Sequence, residues 1–409
     1  MNESIEREVS AIMPKQQIVV VALARTAIGS FGGSLRGIPA YDLGAVAIRE
    51  AVTRAKISPE MLDQVVYANC RQAGNGPNPS RTAAVLGGVP PKVPVYTVNM
   101  ACPSGIKTVM LAARELSDGG ANFIIAGGME SMSTMPYLLK GARWEGFKSG
   151  DKILQDGWSD TVDPLCGYGM GMTAENLVNK YGITRQEQDE FALESQAKAT
   201  KAQAAGYFDD EIVPIRLKPS PEQPEGSLFV KDESIRTDST LERLAKLKPA
   251  FVKDGSVTAG NSCTMGDAAC ALVMTTRRRA DSEGLKPLFS ITSFAEAAVE
   301  PSTMGDGPSV AIPMALKGSG LNLSDIDAIE VNEAFAAQML ANERVLKWDR
   351  SKVNIFGGAI ALGHPTGFSG GRLLIALDNI LRRNDKEFGV ASLCGGGGVT
   401  TAVVIRRES

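Results

Sequence analysis

Three residues of this chain together have the chemistry of a covalent catalyst. Cys102 and Cys394 each supply a thiol, and His364 is the single histidine among 409 residues. A thiolate can attack an acyl group and hold it as a thioester, while a second thiol gives or takes the proton at the α-carbon. Both thiols have an ordinary pKa near ~8.5, so modest shifts make one a nucleophile and leave the other an acid. These residue types predict carbon–carbon bond chemistry on thioesters.

Cys102 lies between a predicted strand at 95–98 and a predicted helix that begins at about Pro103. Proline suits the first helical position, where its missing N–H would have no partner in any case. A thiol at a helix N-terminus faces unpaired N–H groups and the positive end of the helix dipole, which predicts a lowered pKa. The alternative is a small buried cysteine of the core, as most free cysteines are.

Glycines surround the other two candidates. His364 lies in the glycine-rich segment 357–371, where backbone and ligand can approach closely. Cys394 ends a predicted strand, and the N–H groups of the four glycines that follow it could hold an oxyanion. The segment 367–371 also fits the G-x-S-x-G pattern of serine hydrolases. In those enzymes the histidine follows the serine, whereas His364 precedes Ser369, so chain order excludes them.

An internal repeat indicates which elements position these residues. Residues 46–67 align with residues 310–331 without a gap, and each copy has the pattern of a helix, a short polar link and an apolar strand. The sequence Cys-Pro-Ser-Gly that begins at Cys102 corresponds in the same way to His-Pro-Thr-Gly at His364. We therefore predict an α/β fold of two duplicated halves with mostly parallel sheets, in which both residues reach one central junction.

The stretch at about 132–258 matches neither half. It is Met-rich at its start and has four prolines between residues 214 and 224, which indicates a loop-like segment. Thr184 and Glu187 form a capping box that predicts a helix to about residue 205. We interpret this stretch as an insertion that emerges from the first half and covers another part of the molecule.

The composition excludes several classes of partner. A net charge of −3 gives no electrostatic reason to expect nucleic acid or an anionic membrane. No apolar run approaches the ~18 residues of a membrane span, and neither end of the chain has the pattern of a targeting signal. The six cysteines lack the spacing of a zinc site, so no metal is predicted. We expect a cytoplasmic protein.

The motifs resemble those of the thiolase family, from about residue 18 to residue 407. The segments that carry the resemblance are Arg25 to Gly33, Asn99 to Gly105, Gly127 to Met132, Met170 to Asn176, Val331 to Ala336, the stretch around His364, and Cys394 with its glycines. The resemblance implies two duplicated βαβαβαββ halves in a five-layer α/β/α/β/α fold with an inserted loop domain. The implied divisions are a first half at 14–131, completed by about 259–283, a loop domain over the coenzyme A site at 132–258, and a second half at 284–409.

The resemblance also implies roles for individual residues. Cys102 would be the acylated nucleophile, His364 would activate it, and Cys394 would be the acid or base at the α-carbon. Asn332 would hold a water that forms one oxyanion hole with His364, and the N–H groups of Cys102 and Gly396 would form the other. Coenzyme A would act as a substrate, without a tightly bound cofactor. The residues expected to contact it are Met170, Arg236, Phe251, Ala259, Cys263, Ala334 and Phe335.

Four residues depart from the family pattern. Pro103 replaces the small residue usual after the nucleophile, and Thr400 stands where the last glycine of C-x-G-G-G-x-G is common. Cys263 stands where many thiolases have a serine that contacts pantetheine, and a thiol is the weaker donor. Gly169 stands where short-chain, acetoacetyl-type thiolases commonly have a histidine, which leaves a roomier acyl pocket open as an alternative.

The implied reaction is cleavage of 3-ketoacyl-CoA by coenzyme A, or the reverse Claisen condensation of acetyl-CoA with acyl-CoA. We expect an acetyl-CoA C-acetyltransferase of fatty acid metabolism, with a broader-chain acetyl-CoA C-acyltransferase as the alternative. A decarboxylating ketoacyl synthase would use two histidines, and the chain has one. A degenerate subunit that only binds acyl-CoA is a further alternative, against which the intact catalytic residues argue. A homodimer or homotetramer is expected.

Overall fold

The computed structural model describes residues 13–157, 162–219 and 226–408. Its strands, in chain order, are β1 (Ile18–Thr26), β2 (Gly29–Ser30), β3 (Gln64–Ala68), β4 (Val95–Val98), β5 (Phe123–Ser131), β6 (Ile212–Val213), β7 (Ile215–Arg216), β8 (Leu228–Phe229), β9 (Gly266–Thr276), β10 (Phe289–Ala298), β11 (Ala328–Val331), β12 (Phe388–Cys394) and β13 (Val399–Arg407). Its α-helices are α1 (Ala40–Ala55), α2 (Pro79–Leu86), α3 (Ser104–Ser117), α4 (Ala142–Glu145), α5 (Met170–Tyr181), α6 (Arg185–Ala204), α7 (Leu241–Ala245), α8 (Arg277–Ser282), α9 (Gly307–Ser319), α10 (Ala336–Leu346), α11 (Ala359–Leu362) and α12 (Thr366–Arg383).

Some of the predictions concern residues outside the described ones. These residues are the N-terminal segment 1–12, the last residue Ser409, and two of the four prolines, Pro221 and Pro224.

Both halves of the chain contribute to one mixed sheet. Its strand order is β11-β12-β13-β10-β1-β9-β5-β3-β4, while β7 and β8 form a separate pair. The order β3-β5-β9-β1 in the first half is repeated as β11-β12-β13-β10 in the second, so β1 and β10 are equivalent strands. They meet antiparallel, with Ile18 opposite Ile291 and Val20 opposite Phe289. Equivalent strands that pair antiparallel are related by a two-fold axis, and the predicted duplication is confirmed.

The two aligned repeats make equivalent hydrogen bonds near their C-terminal ends. Asp63 Oδ2 accepts from the two N–H groups at the start of β5, at 2.7 and 3.1 Å. Asp327 Oδ2 accepts from the two N–H groups at the start of β12, at 3.0 and 3.1 Å. Each carboxylate therefore fixes the link before one strand to the start of its parallel neighbour.

The prediction of mostly parallel sheets is wrong. β3 pairs parallel with β4 and β5, and β11 pairs parallel with β12. The longest pairings, which join β9 to β1 and β5 and β10 to β13, are antiparallel. β12 and β13 are antiparallel as well, because the glycine turn between them is too short for a crossover connection. An apolar run identifies a buried strand but does not give its direction.

Two central helices lie between the halves of the sheet. α3 and α12 pack against each other and against β5, while α1 and α2 cover the first half and α9 covers β10 and β13. This arrangement confirms the predicted five-layer fold. A Cβ on Gly105 would lie 2.9 Å from the backbone N of Gly370, and one on Gly128 would lie 2.1 Å from the carbonyl O of Gly367. The central backbones thus touch without intervening side chains.

The inserted stretch contains α4 to α7 and the short strands β6 to β8. The predicted capping box is present at the start of α6: Thr184 Oγ1 accepts from the N–H of Glu187 at 3.2 Å, and Glu187 Oε2 accepts from the N–H of Thr184 at 2.7 Å. α5 and α6 pack against α10 of the second half. In the parts of the chain described above, no helix combines the length and apolar character needed to cross a membrane.

Candidate active site

Cys102 lies in a tight turn between β4 and α3. Ala101, just before it, has a φ of 51°, a left-handed conformation that costs a residue with a Cβ about 1–2 kcal/mol. The Ser104 hydroxyl accepts from the N–H of Met100 at 2.7 Å and donates to the carbonyl O of Ala101 at 2.6 Å. α3 begins at Ser104, one residue later than predicted, with Pro103 at the capping position. Strain beside a potential nucleophile indicates a position that the surrounding structure imposes.

The glycine turn between β12 and β13 lies directly against Cys102. A Cβ on Gly395 would lie 2.4 Å from Cδ of Pro103 and 3.1 Å from the backbone N of Cys102. Burial raises the pKa of the Cys102 thiol, whereas the charge of Arg71 and hydrogen bonds from the N–H groups of Gly396 and Cys102 favour the thiolate. The prediction of a lowered pKa is wrong, because the loss of water around the thiolate outweighs these donors. The thiol is therefore neutral until a base takes its proton.

His364 lies just before α12 with its ring buried. Its Nδ1 is 2.7 Å from the hydroxyl of Ser369, which donates its own hydrogen to the carbonyl O of Pro365 at 2.8 Å. Ser369 must then accept from Nδ1–H, which leaves the lone pair on Nε2. Burial, together with the charge of Arg372, lowers the pKa of His364 to about 3. The ring is neutral at pH 7, and its Nε2, which has no hydrogen-bond partner among the described residues, can act as a base.

Cys394 and Asn332 lie at one edge of the sheet because β11 and β12 are parallel neighbours. The N–H of Asn332, directly after β11, donates to the carbonyl O of Ser392 at 3.1 Å. The Asn332 side chain is buried, and within the described part of the chain neither its oxygen nor its nitrogen has a partner. An unpaired buried polar group costs about 1–3 kcal/mol, so this amide is placed to bind a molecule from outside the protein. Burial and the nearby Cys102 raise the pKa of Cys394 well above its ordinary value, so this thiol stays protonated.

Backbone hydrogen bonds of Cys263 and Thr264 join the segment of His364 to the segment that follows Asn332. The carbonyl O of Thr264 accepts from the N–H of His364 at 2.8 Å, and the N–H of Cys263 donates to the carbonyl O of Ala334 at 3.0 Å. Burial raises the pKa of Cys263 to about 12, and the charge of Cys102 contributes to this shift. Cys102, Cys263 and Cys394 are therefore close enough to interact electrostatically, and His364 is hydrogen-bonded to the residue that follows Cys263.

Several of the predicted coenzyme A contacts form one apolar cluster with Cys394. The cluster includes Ala334 and Phe335, and Met170 packs against it. The ring of Phe251 meets that of Phe335 edge-on, with centroids 6.0 Å apart at 85°. Of the three remaining predicted contacts, which lie outside this cluster, Arg236 and Ala259 have exposed side chains and Cys263 is the thiol described above. Four of the predicted contacts thus lie on or beside one apolar cluster, and two others are exposed to solvent.

The family comparison agrees with this arrangement. Residues 18–278 match the family description "Thiolase, N-terminal domain", and residues 285–407 match "Thiolase, C-terminal domain". This chain belongs to the thiolase family. The two matched regions together span nearly all of this thiolase, including each candidate catalytic residue.

Individual relatives resemble this thiolase over their whole length. It is 47% identical over 395 residues to the "Acetyl-CoA acetyltransferase" of Cupriavidus necator, covering 96% of this chain and 99% of the relative. It is 48% identical over 394 residues to the "Probable acetyl-CoA acyltransferase" of Staphylococcus epidermidis, with coverage of 96% and 99%. The crystal structure of the Bacillus anthracis acetyl-CoA acetyltransferase is similar with a TM-score of 0.93, 43% identity and coverage of 96% and 99%. Human mitochondrial 3-ketoacyl-CoA thiolase in complex with CoA is similar with a TM-score of 0.92, 39% identity and coverage of 98% and 100%.

The structure shows where two departures from the family pattern lie in this thiolase. Thr400 Oγ1 donates to the carbonyl O of Leu393 at 3.2 Å, and a Cβ on Gly307 would lie 2.7 Å from the Cβ of Thr400. The space for the Thr400 side chain is therefore provided by the glycine at the start of α9. Gly169, just before α5, has extended backbone with a φ of −79°, and a Cβ there would meet no atom of the described residues within 4 Å.

Three residues around the site were missed by sequence reasoning. Ser369 was considered only as a nucleophile, although its spacing from Pro365 in a helix permits the observed hydrogen bonds. Asp163 accepts a hydrogen bond from the glycine turn although it lies in a distant part of the sequence, and no sequence signal connects the two. Its Oδ2 accepts from the N–H of Gly397 at 2.7 Å. Thr264 carries a buried hydroxyl that has no hydrogen-bond partner among the residues that the structure describes.

Proposed function

We propose that this thiolase is an acetyl-CoA C-acetyltransferase, which cleaves acetoacetyl-CoA with coenzyme A and catalyses the reverse condensation. The observation that carries the proposal is the N–H of Gly396 at the thiol of Cys102, because this donor can stabilise an oxyanion formed on an acyl group at that sulfur. The acetyl-CoA acetyltransferases among its relatives support the same activity.

The first step is transfer of an acyl group to Cys102. Nε2 of His364 takes the thiol proton, and the thiolate attacks the 3-keto carbon, whose C=O electron pair moves onto oxygen. The N–H groups of Cys102 and Gly396 are the donors proposed for one oxyanion hole. Asn332, through a bound water, and His364 form the other.

The second step cleaves the carbon–carbon bond. When the C=O reforms, the C2–C3 bond breaks and its electron pair stays on C2 as the enolate of acetyl-CoA. Cys394, which is protonated because of its raised pKa, gives its proton to C2. The Cys394 thiolate then takes the proton of coenzyme A, whose sulfur attacks the acyl group on Cys102. The departing Cys102 thiolate recovers the proton held by His364, which restores the enzyme.

Coenzyme A is proposed to bind as a substrate beneath the inserted stretch. Phe251 is about half exposed beside Phe335, and Arg236 presents an exposed guanidinium that suits a phosphate. Ala259, Cys263, Met170 and Ala334 are the remaining proposed contacts. The division into halves at 14–131, completed by 259–283, and 284–409, with a loop domain at 132–258, is part of this proposal. So are a cytoplasmic location, a role in fatty acid metabolism and a homodimer or homotetramer.

The decisive experiment is to incubate the protein with acetyl-CoA and to measure the mass of the peptide that contains Cys102. We expect one acetyl group on this peptide and none on the corresponding peptide of Cys102→Ala. The wild-type protein should also cleave acetoacetyl-CoA in the presence of coenzyme A. An acetyl group that persists at another residue in Cys102→Ala would contradict the proposed nucleophile.

A broader-chain 3-ketoacyl-CoA thiolase is the second candidate. The observation that favours it is the open space at Gly169, beside Met170 of the apolar cluster. A longer acyl chain could use this space. Initial rates with acetoacetyl-CoA and with a longer straight-chain 3-ketoacyl-CoA separate the two candidates.

A further inference from the structure

The glycine turn that carries Gly396 is held at its two ends by backbone hydrogen bonds, which include one from the N–H of Val299 to the carbonyl O of Gly398 at 2.8 Å. The N–H of Gly395 donates to the carbonyl O of Val399 at 2.8 Å, and the N–H of Gly398 donates to that of Gly395 at 3.1 Å. Between them, the N–H of Gly397 donates to Oδ2 of Asp163 at 2.7 Å. The middle of the turn is therefore fixed by a side chain that is more than 200 residues away in the sequence.

This fixing matters because glycine has more backbone freedom than any other residue. Gly397 and Gly398 both have a φ of 79°, and successive N–H groups in such a turn point into a common concavity that binds anions. The peptide between Gly396 and Gly397 carries the N–H that Asp163 binds. The N–H of Gly396 belongs to the preceding peptide, and the two peptides meet at the Cα of Gly396. If the N–H of Gly397 left Asp163, that Cα would be free to shift, and the N–H of Gly396 would move away from the thiol of Cys102 with it.

Asp163 is itself held firmly. Its side chain is buried, and its other oxygen, Oδ1, accepts from the N–H of Leu165 at 2.9 Å. Its backbone N–H donates to the carbonyl O of Tyr168 at 3.0 Å, and its carbonyl O accepts from the N–H of Gly167 at 2.7 Å. The Tyr168 hydroxyl accepts in turn from Asn176 Nδ2 on α5 at 2.9 Å. The carboxylate therefore has a fixed position relative to the helix that follows it.

We infer that Asp163 is a positioning residue of the oxyanion hole: by holding the N–H of Gly397, it keeps the N–H of Gly396 directed at the acyl group on Cys102. This inference rests on the proposed function, since it assigns Asp163 to the same site. It also connects the inserted stretch to the chemical step, through one hydrogen bond from its loop to the turn after Cys394.

The test compares variants of the full-length protein that keep or remove the hydrogen-bond acceptor. Asp163→Asn retains an oxygen at the same place without the charge, whereas Asp163→Leu and Asp163→Ala remove the acceptor. Asp151→Ala, an exposed residue of the same loop, is the matched control. For each variant we would measure kcat and KM for acetoacetyl-CoA cleavage, and the pH dependence of iodoacetamide alkylation at the Cys102 peptide.

Loss of the acceptor should lower kcat about 10- to 100-fold with KM changed less than about threefold, since loss of one oxyanion donor costs about 10²- to 10³-fold in kcat. Asp163→Asn should stay within about threefold of wild type, and the alkylation midpoint of Cys102 should rise in the Leu and Ala variants but not in Asn. Equal losses in all three variants, or a change confined to KM, would overturn the positioning role.

The alkylation profile does not depend on turnover, so it separates this inference from the proposed function. A wild-type protein inactive on acetoacetyl-CoA would contradict the proposed function, while a raised alkylation midpoint in Asp163→Leu would still support the position of Gly396. If neither Leu nor Ala folds while Asn is folded and active, Asp163 serves overall stability and the positioning role is overturned. Thermal unfolding of each variant supplies this control.

Discussion

Glu130 in the first half accepts a hydrogen bond, at 2.9 Å, from the backbone N–H of Gly367 in the second half. The same oxygen, Oε2, accepts from the Thr366 hydroxyl at 2.5 Å and from the N–H of Cys70 at 3.1 Å. Oε1 accepts from the N–H of Arg71 at 3.0 Å. The buried carboxylate thus occupies the N-terminal end of α12, where the helix dipole favours an acceptor, and joins the halves close to His364.

Glu130→Gln should destabilise the protein because the new amide N–H₂ would face donors where the carboxylate now accepts. Hydrogen bonds to a charged group are each worth about 1.5–3 kcal/mol, so we expect a loss of about 2–4 kcal/mol in the free energy of unfolding. Denaturant unfolding measures this value. The control is Glu60→Gln, whose exposed carboxylate pairs with Lys92 and should change stability by less than about 0.5 kcal/mol. Equal effects of the two substitutions would contradict the assigned role.

Ser369→Ala should lower kcat about 10- to 100-fold and leave KM nearly unchanged. Without the Ser369 hydroxyl, Nδ1–H of His364 loses its acceptor, so the tautomer with the lone pair on Nε2 is no longer selected. Steady-state rates at saturating coenzyme A measure the effect. Ser319→Ala, at the C-terminal end of α9, removes a hydroxyl of the same kind far from the site and should have wild-type kinetics. A drop in thermal stability with unchanged kcat would show that Ser369 is structural.

The pKa of His364 gives a pH dependence of stability. In the folded protein this pKa is about 3, whereas in the unfolded chain it is near ~6.5. Between these values only the unfolded state binds the proton, so the stabilising contribution is present above pH ~6.5 and is lost as the pH falls, by about 1.4 kcal/mol per pH unit. The free energy of unfolding of wild type should therefore fall relative to that of His364→Asn as the pH falls from about 6.5 towards about 4, which denaturant unfolding at several pH values measures. Parallel curves would contradict the buried, neutral ring.

Cys394→Ala should separate the role of the Cys394 thiol from that of the Cys102 thiol. Cys102 in this variant still has its base and oxyanion donors, so acetyl-CoA should still acylate it. Exchange of the α-protons of acetyl-CoA with deuterated solvent should fall about 10²-fold or more, because the positioned acid and base is gone. Mass spectrometry of the Cys102 peptide and NMR of the methyl protons measure the two steps. Exchange at the wild-type rate would exclude Cys394 as the acid and base.

Gly169→His tests the origin of chain-length selectivity. The φ of −79° suits a residue with a side chain, and a Cβ there meets no atom within 4 Å in the part of the chain that the structure describes, so the variant should fold. If the imidazole fills space used by longer acyl chains, the ratio of kcat/KM for acetoacetyl-CoA to that for a longer 3-ketoacyl-CoA should rise about 10-fold or more. Gly169→Ala adds little volume and should leave this ratio within about threefold of wild type. An unchanged ratio in both variants would place the acyl chain elsewhere.

The sequence predicts the elements of this fold better than their directions. The repeat locates β3 and β11. Asp63 and Asp327, which align in its two copies, also accept equivalent hydrogen bonds in the structure. β5 continues through two glycines to Ser131, because β9 pairs with it along this whole length. Such pairing between distant strands leaves no local pattern in the sequence, and the antiparallel directions were missed for the same reason.

The sequence predicts those residues of the candidate site that end a strand or precede a helix, as Cys102, His364 and Cys394 do. What the sequence cannot give is the environment that these positions acquire on folding. The pKa of Cys102 is raised because the chain around it excludes water, which outweighs the effect of the helix N-terminus. Asp163 and Ser369 act through single hydrogen bonds whose geometry exists only in the folded protein.

The pairing of β1 has a consequence for synthesis of the chain on the ribosome. Apart from the two-residue strand β6, which pairs only with the end of β1, the neighbours of this apolar strand are β9 and β10, and both are encoded well over 200 residues after it. At about 5–20 residues per second, β1 emerges roughly ten seconds or more before β9 or β10 exists. During that interval it is an unpaired apolar segment that can associate with other nascent chains. We therefore expect chains that end before residue 266 to require chaperones or to aggregate, whatever the stability of the finished enzyme.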